Sequence, residues 1–211
     1  MMKFRTSVVI LTFNESINIS DCIVSAKLIS DDIVVLDSFS TDNTVEIAKS
    51  MGVKVETNKF IGYATQRNFA LQSIKYKYNW IFMIDADERV CEKVKLEIDS
   101  LDFTKNTMFK CKRRDFFLGR WLKRSSGYPT WFPRLFKLGS CSVEREINEE
   151  YVTVGGVGYL ETDIVHFPFN KGVDEWFDKH NRYSSMEAEL IYNKKNKIIF
   201  KELFSLSLIH I

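Results

Sequence analysis

Asp85 and Asp87 stand one residue apart, directly after the apolar run Ile81-Phe82-Met83-Ile84, and Glu88 follows them. A buried strand has no use for charge, so these carboxylates belong where the strand leaves the sheet. In open α/β sheets ligands bind at that carboxyl edge. Two such carboxylates can hold a hard divalent cation, and the cation can hold a diphosphate. The same spacing also arises in an acidic turn or at a helix N-terminus, where Asp and Glu are favoured. Its weight therefore comes from the rest of the chain.

The preceding elements place two more polar clusters at strand ends. Ser7-Val8-Val9-Ile10-Leu11 is a continuous apolar run, as in a strand buried on both faces, and it ends at Thr12-Phe13-Asn14-Glu15. A helix with Ile19, Cys22, Ile23 and Ala26 on one face follows. The strand Asp32 to Leu36 ends at Asp37-Ser38-Phe39-Ser40-Thr41-Asp42-Asn43-Thr44, rich in turn and capping residues. A helix Val45 to Met51 stops at Gly52, a short strand covers Val53 to Glu56, and a helix runs from Tyr63 to Tyr76 before the strand Trp80 to Ile84. This β-α-β-α rhythm predicts a mostly parallel, doubly wound sheet. In such a sheet all three polar clusters share one edge, and carboxylates gathered there repel one another unless a cation joins them.

The second half reads differently. Met108 to Cys111 and Arg134 to Lys137 read as strands, joined by a segment dense in aromatic and basic residues. Gly155, Gly156 and Gly158 punctuate an irregular stretch. Val173 to Ile191 has helical spacing. The tail after residue 191 is basic and apolar, and too short and interrupted to cross a bilayer.

Composition narrows the class. The chain has 211 residues, 45% of them hydrophobic, which is enough for one domain with a full core. Its formal charge of +2 gives no overall field for nucleic acid. Cys22, Cys91, Cys111 and Cys141 are scattered, with no Cys-x-x-Cys pair to suggest zinc or redox chemistry. Met1 to Arg5 lead straight into a strand, with no signal-type core and cleavage site, so a reducing cytoplasm is the expected compartment.

With these segments in view, the chain resembles the family 2 glycosyltransferases of GT-A fold. The likeness lies in Val8 to Glu15, Val34 to Thr44 and Ile84 to Glu88. Gln66-Arg67-Asn68-Phe69-Ala70-Leu71, Trp80-Ile81, Arg134-Leu135-Phe136 and Lys179-His180-Asn181-Arg182-Tyr183-Ser184 resemble the lipopolysaccharide-core β-glucosyltransferase group. The resemblance covers about Thr6 to Leu190. It implies an α/β, Rossmann-like GT-A sheet flanked by helices, with an acceptor-side extension and C-terminal helices. Residues 1–105 would form the nucleotide-sugar half, 106–190 the acceptor and catalytic half of the same domain, and 191–211 the tail.

The resemblance also implies roles: inverting transfer of a hexose, glucose foremost, from a UDP-sugar. Thr12, Asn14 and Glu15 would line the nucleotide pocket. Asp37 would accept from uracil or ribose, and Arg67 would bring its charged fork to the nucleotide. Asp85 would hold ribose or assist the metal, and Asp87 would coordinate Mg²⁺ or Mn²⁺ directly. His166 would reach the metal or diphosphate, although a histidine after an apolar run also suits a hydrogen-bonded core position. The general base is expected from the second half. Glu149 is the candidate, in Ile147-Asn148-Glu149, where the family usually has His at the middle position; Glu146 and Asp115 compete with it.

The aromatics Phe116, Phe117, Trp121, Tyr128, Trp131 and Phe132 would offer faces to acceptor sugars, and Arg113, Arg114, Arg120, Lys123 and Arg124 would meet phosphates of a glycolipid or oligosaccharide acceptor. The tail would touch the inner face of the cytoplasmic membrane, or pack as a helix on the domain or a second subunit. A polyprenyl-phosphate or other polysaccharide acceptor is the nearest alternative. A nucleotidyltransferase would need a Gly-rich, basic phosphate loop after the first strand, which Thr12 to Glu15 is not. A non-catalytic nucleotide-sugar-binding module would leave Glu149 away from the donor corner.

Overall fold

The computed structural model of the chain describes residues 5–124, 127–146 and 149–195. Ile147, Asn148 and residues 196–211 of the expected tail lie outside the described residues. The elements are β1 (Ser7–Thr12), α1 (Ile19–Ala26), β2 (Ile33–Asp37), α2 (Thr44–Ser50), β3 (Lys54–Thr57), α3 (Tyr63–Gln72), β4 (Trp80–Asp85), β5 (Glu88–Arg89), α4 (Glu92–Ser100), β6 (Asn106–Phe117), β7 (Arg120–Trp121), β8 (Trp131–Lys137), β9 (Cys141–Glu144), β10 (Glu150–Thr153), β11 (Gly156–His166) and α5 (Val173–Lys195).

The main sheet has the order β3-β2-β1-β4-β8-β6-β11-β5, with β7 paired to β6; β9 and β10 form a separate antiparallel pair. From β3 to β4 every pairing is parallel. β8 runs antiparallel between β4 and β6, and β11 lies parallel to β6. The α/β expectation therefore holds, with a parallel first half and a mixed second half.

Strand periodicity explains the two-sided core. Successive side chains of a strand point to opposite faces. Val8 and Ile10 pack in a cluster with Ile19, Cys22, Ile23 and Ala26 of α1, whereas Val9 packs with Ala64, Ala70 and Leu71 of α3. β1 is thus covered on both faces, which is why its sequence is continuously apolar. α2 closes at Gly52, whose φ of +75° suits a residue without Cβ. α3 stops at Gln72, short of the expected Tyr76.

From Gly156 the glycine-rich stretch is a strand rather than an irregular loop. A Cβ at Gly158 would lie 2.4 Å from the Phe109 ring, and one at Gly156 would lie 2.8 Å from the Lys105 carbonyl oxygen. Bare backbone is what lets β11 lie against the start of β6.

The compact units divide after Asn170, and α5 runs through residue 191 in the second of them. Within α5, the Trp176 and His180 ring centroids lie 3.9 Å apart with the planes tilted by 31°, and His180 Nδ1 lies 2.7 Å from the Trp176 carbonyl. Among the described residues, no helix is long and apolar enough to cross a membrane.

Candidate active site

Register alone brings the first polar residues together. Thr12 pairs with Asp37 across β1 and β2, and Leu11 pairs with Asp85 across β1 and β4. The carboxyl ends of three parallel strands thus form one edge.

The loops after β1 and β2 are laced to each other. The Asn14 N–H donates to Ser40 Oγ at 2.8 Å, and Asn14 Oδ1 accepts from the Thr41 N–H at 2.8 Å. The Glu15 N–H donates to Thr44 Oγ1, and Glu15 Oε2 accepts from Asn18. Asp37, 1% exposed, accepts from the Ser40 N–H and hydroxyl. Asp42 accepts from the Ser16 and Thr44 N–H groups. Burial alone would raise the Asp42 pKa, but the bond from the Thr44 hydroxyl, together with these two, brings it down to about 2. Asn14, Glu15 and Asp37 therefore stiffen the loop walls of this edge.

Those walls carry features the sequence did not single out. Phe13, Ser38, Phe39, Lys59 and Phe60 line a cleft of about 450 Å³. Phe13, Phe39 and Phe60 are 54%, 59% and 42% exposed. Asn14 and Phe39 both have left-handed backbone, with φ of 52° and 63°, and such strain gathers at functional sites. Aromatic residues inside polar turns at strand ends were the available signal.

Arg67 turns its fork onto carboxylates of the same corner. It is 8% exposed; its Nε donates to Glu149 Oε1 at 3.0 Å and its Nη2 reaches Asp85 Oδ1 at 3.3 Å. Burial opposes its charge, but the Asp85 and Glu149 carboxylates hold the guanidinium firmly protonated. Glu149 thus lies beside the carboxylate corner rather than away from it.

The other base candidates have structural partners. Glu146 caps α3: Oε2 accepts from the Ala64 N–H at 2.8 Å and Oε1 from the Thr65 hydroxyl at 2.8 Å. Gly62 permits this, because a Cβ there would fall 2.1 Å from Glu146 Oε2. Asn68 adds a second tie, accepting from the Val143 N–H and donating to the Val143 carbonyl, both at 2.8 Å. Asp115 accepts from Arg113 Nε at 3.0 Å and lies 2.8 Å from His166 Nδ1. Burial would raise the Asp115 pKa, but His166 and Arg113 hold it below the usual carboxylate range.

His166, 8% exposed, reaches Asp87 Oδ2 at 3.2 Å through Nε2. Burial disfavours its charged form, yet the Asp87 carboxylate and the bond to Asp115 raise its pKa. Among the described residues, no group of three or more His, Cys, Asp or Glu side chains is arranged to hold a metal ion by itself. One carboxylate with one imidazole still fits Mg²⁺ or Mn²⁺ in a diphosphate site, where substrate oxygens and water complete the shell. Asp85 is a less apt ligand, because Arg67 and Arg134 both face it, the latter at 3.4 Å.

Glu88 does not serve a turn. It is 0% exposed and accepts from Arg134 Nε at 3.0 Å and Nη2 at 2.6 Å. Arg113 Nη1 lies 3.7 Å from it. Charges therefore alternate without a break from Glu149 through Arg67, Asp85, Arg134, Glu88, Arg113 and Asp115 to His166 and Asp87. Arg113 and Arg114, expected to meet acceptor phosphates, are paired with Asp115 and Asp163. Arg120, Lys123 and Arg124 remain exposed.

The chain is similar in sequence to several glycosyltransferases. An uncharacterized glycosyltransferase of Rickettsia prowazekii is 29% identical over 92% of this chain and 70% of its own. The lipopolysaccharide core biosynthesis glycosyltransferase LpsC of Rhizobium meliloti is 27% identical over 96% of this chain and 78% of its own. A crystal structure of glucosyl-3-phosphoglycerate synthase from Mycobacterium tuberculosis, in complex with Mn²⁺, UDP and glucosyl-3-phosphoglycerate, is 22% identical with a TM-score of 0.46; the match covers 59% of this chain and 47% of that one, less than half its length. The sequence profile of glycosyl transferase family 2 matches residues 7–156. With most of its length inside that match, the chain belongs to glycosyl transferase family 2.

Proposed function

We propose that this protein transfers a hexose, glucose foremost, with inversion from a UDP-sugar to a lipopolysaccharide-core or related glycan acceptor. The observation that carries the reading is the shared edge of β1, β2 and β4, which ends in Asp37 and Asp85, with Asp87 following β4 and paired to His166. Phe13, Phe39 and Phe60 would cover the base, and Lys59 would answer the negative charge of the nucleotide. Asp87 and His166 would hold Mg²⁺ or Mn²⁺, which when bound offsets charge on the departing diphosphate. Glu149, oriented by Arg67, would take the proton from the acceptor hydroxyl. The likeness to LpsC supports the acceptor class, and Trp121, Tyr128 and Trp131 with Arg120, Lys123 and Arg124 supply suitable aromatic and cationic surface. Cytoplasmic location, facing the membrane where such acceptors are built, fits this reading.

Thermal-shift measurement across nucleotide sugars, with and without Mn²⁺, tests the reading directly. Stabilisation grows with ligand concentration over Kd, so UDP-glucose with Mn²⁺ should raise the midpoint more than GDP- or ADP-glucose. Phe39→Ala should weaken UDP binding about tenfold, since stacking of a base on an aromatic ring contributes about 1–3 kcal/mol. Equal, metal-independent shifts for all nucleotides would reject the assignment.

A further inference from the structure

Arg134 and Glu88 lie at the centre of the alternating charges, 3% and 0% exposed. Residues near them in sequence are apolar and buried: Ile84, Ala86, Val90 and Leu135 belong to one core cluster. Burying an ion pair costs desolvation, and apolar residues of similar volume at such positions are often neutral or stabilising. Stability alone therefore does not account for charge here. Geometry does. Glu88 Oε2 accepts from the main-chain N–H of Asp85 at 3.2 Å, while Arg134 Nη2 faces the Asp85 carboxylate at 3.4 Å. The pair thus grips Asp85 at two points, and the opposite side of that carboxylate meets Arg67.

We propose that Arg134 and Glu88 are positioning residues for the donor site, fixing Asp85 and, through it, the Arg67 guanidinium. The inference rests on the UDP-sugar reading above and names residues that do not themselves touch the donor. Arg134 must be arginine on this account, because its planar fork spans Glu88 and Asp85 together, which a single ammonium cannot do.

The test uses Arg134→Lys, Arg134→Met and the double variant Arg134→Met with Glu88→Leu. Hydrolysis of UDP-glucose with Mn²⁺ gives kcat and KM, and thermal melting gives stability. Loss of folded protein lowers kcat without moving KM, whereas misplacing Asp85 raises KM for the donor. We expect KM to rise about tenfold in both single variants. The double variant removes both members of the buried pair, so it should regain part of the melting temperature lost in Arg134→Met and keep the raised KM. Wild-type KM in the double variant, or rescue of KM by Arg134→Lys, overturns the proposal. If the wild type shows no binding of UDP with Mn²⁺, the donor reading fails, and side-chain ¹⁵N spectra decide the positioning role alone. The Arg67 Nε–H signal should shift and exchange faster in the double variant; an unchanged signal overturns the role.

Discussion

Thr12, Asp37 and Asp85 share an edge because three parallel strands end in register, whereas Asp115, Arg134 and His166 reach the same corner through partners far along the chain. His166 meets Asp87 across 79 positions, and Arg67 meets Glu149 across 82. Topology places the first set, since ligand-facing ends coincide in any parallel sheet. The second set depends on paired charges, so each member's orientation is tied to its neighbour's. The first set is therefore sensitive to loss of a single group, and the second to loss of a partner.

The sharpest way to break this contrast is Asp87→Ala. It removes the carboxylate proposed to hold the cation while leaving the strands intact, and metal-dependent UDP-sugar turnover should fall about 10³-fold, equivalent to about 4 kcal/mol of barrier. Unchanged circular dichroism with full activity in EDTA would rule out the assignment. Next in size, Glu149→Gln should slow transfer about 10²-fold, the lower range for a lost general base. Glutamine still accepts from Arg67, so UDP affinity should stay within a few-fold by calorimetry. A wild-type rate would put the base on another acid.

Gly62→Ala and Glu146→Ala probe the link between the halves. Each should cost about 1 kcal/mol in urea unfolding, the usual scale of a lost helix cap. Since both act by displacing the same carboxylate, the double variant should cost little more than the worse single one; simple additivity would show that Glu146 does not cap α3. The smallest effect concerns Asp42. Its pKa is near 2 when folded and near 3.8 otherwise, so its contribution is complete above about pH 4 and is lost as pH falls toward 2. The stability gap between wild type and Asp42→Asn should narrow between pH 6 and pH 3; a constant gap would mean that the negative charge is not what holds the loop.

Much of the parallel half was legible in the sequence. Val8 to Leu11, Ile33 to Leu36 and Ile81 to Ile84 announce buried strands, and their polar endings announce the edge. The second half was less so, for physical reasons. Glu146 looks like any surface acid until α3 is brought beside it, and Glu88 looks like a turn residue until Arg134 arrives from 46 positions away. Gly155, Gly156 and Gly158 suggested irregularity, because a bare backbone in a strand matters only when the neighbour it must approach is known. Arg67 could be singled out from its helix, but no pattern within one helix could show that its charge is answered by Asp85 and Glu149.

Asn68 grips residue 143 by its main chain alone. The tie is therefore indifferent to which side chain occupies 143, within the apolar volume allowed there, but it counts positions strictly. Apolar exchanges at 143 should drift freely among relatives, while a single inserted residue between β8 and Glu146 would slide the wrong peptide group under Asn68 and carry Glu146 off the start of α3. Length, rather than identity, is what this segment has to preserve.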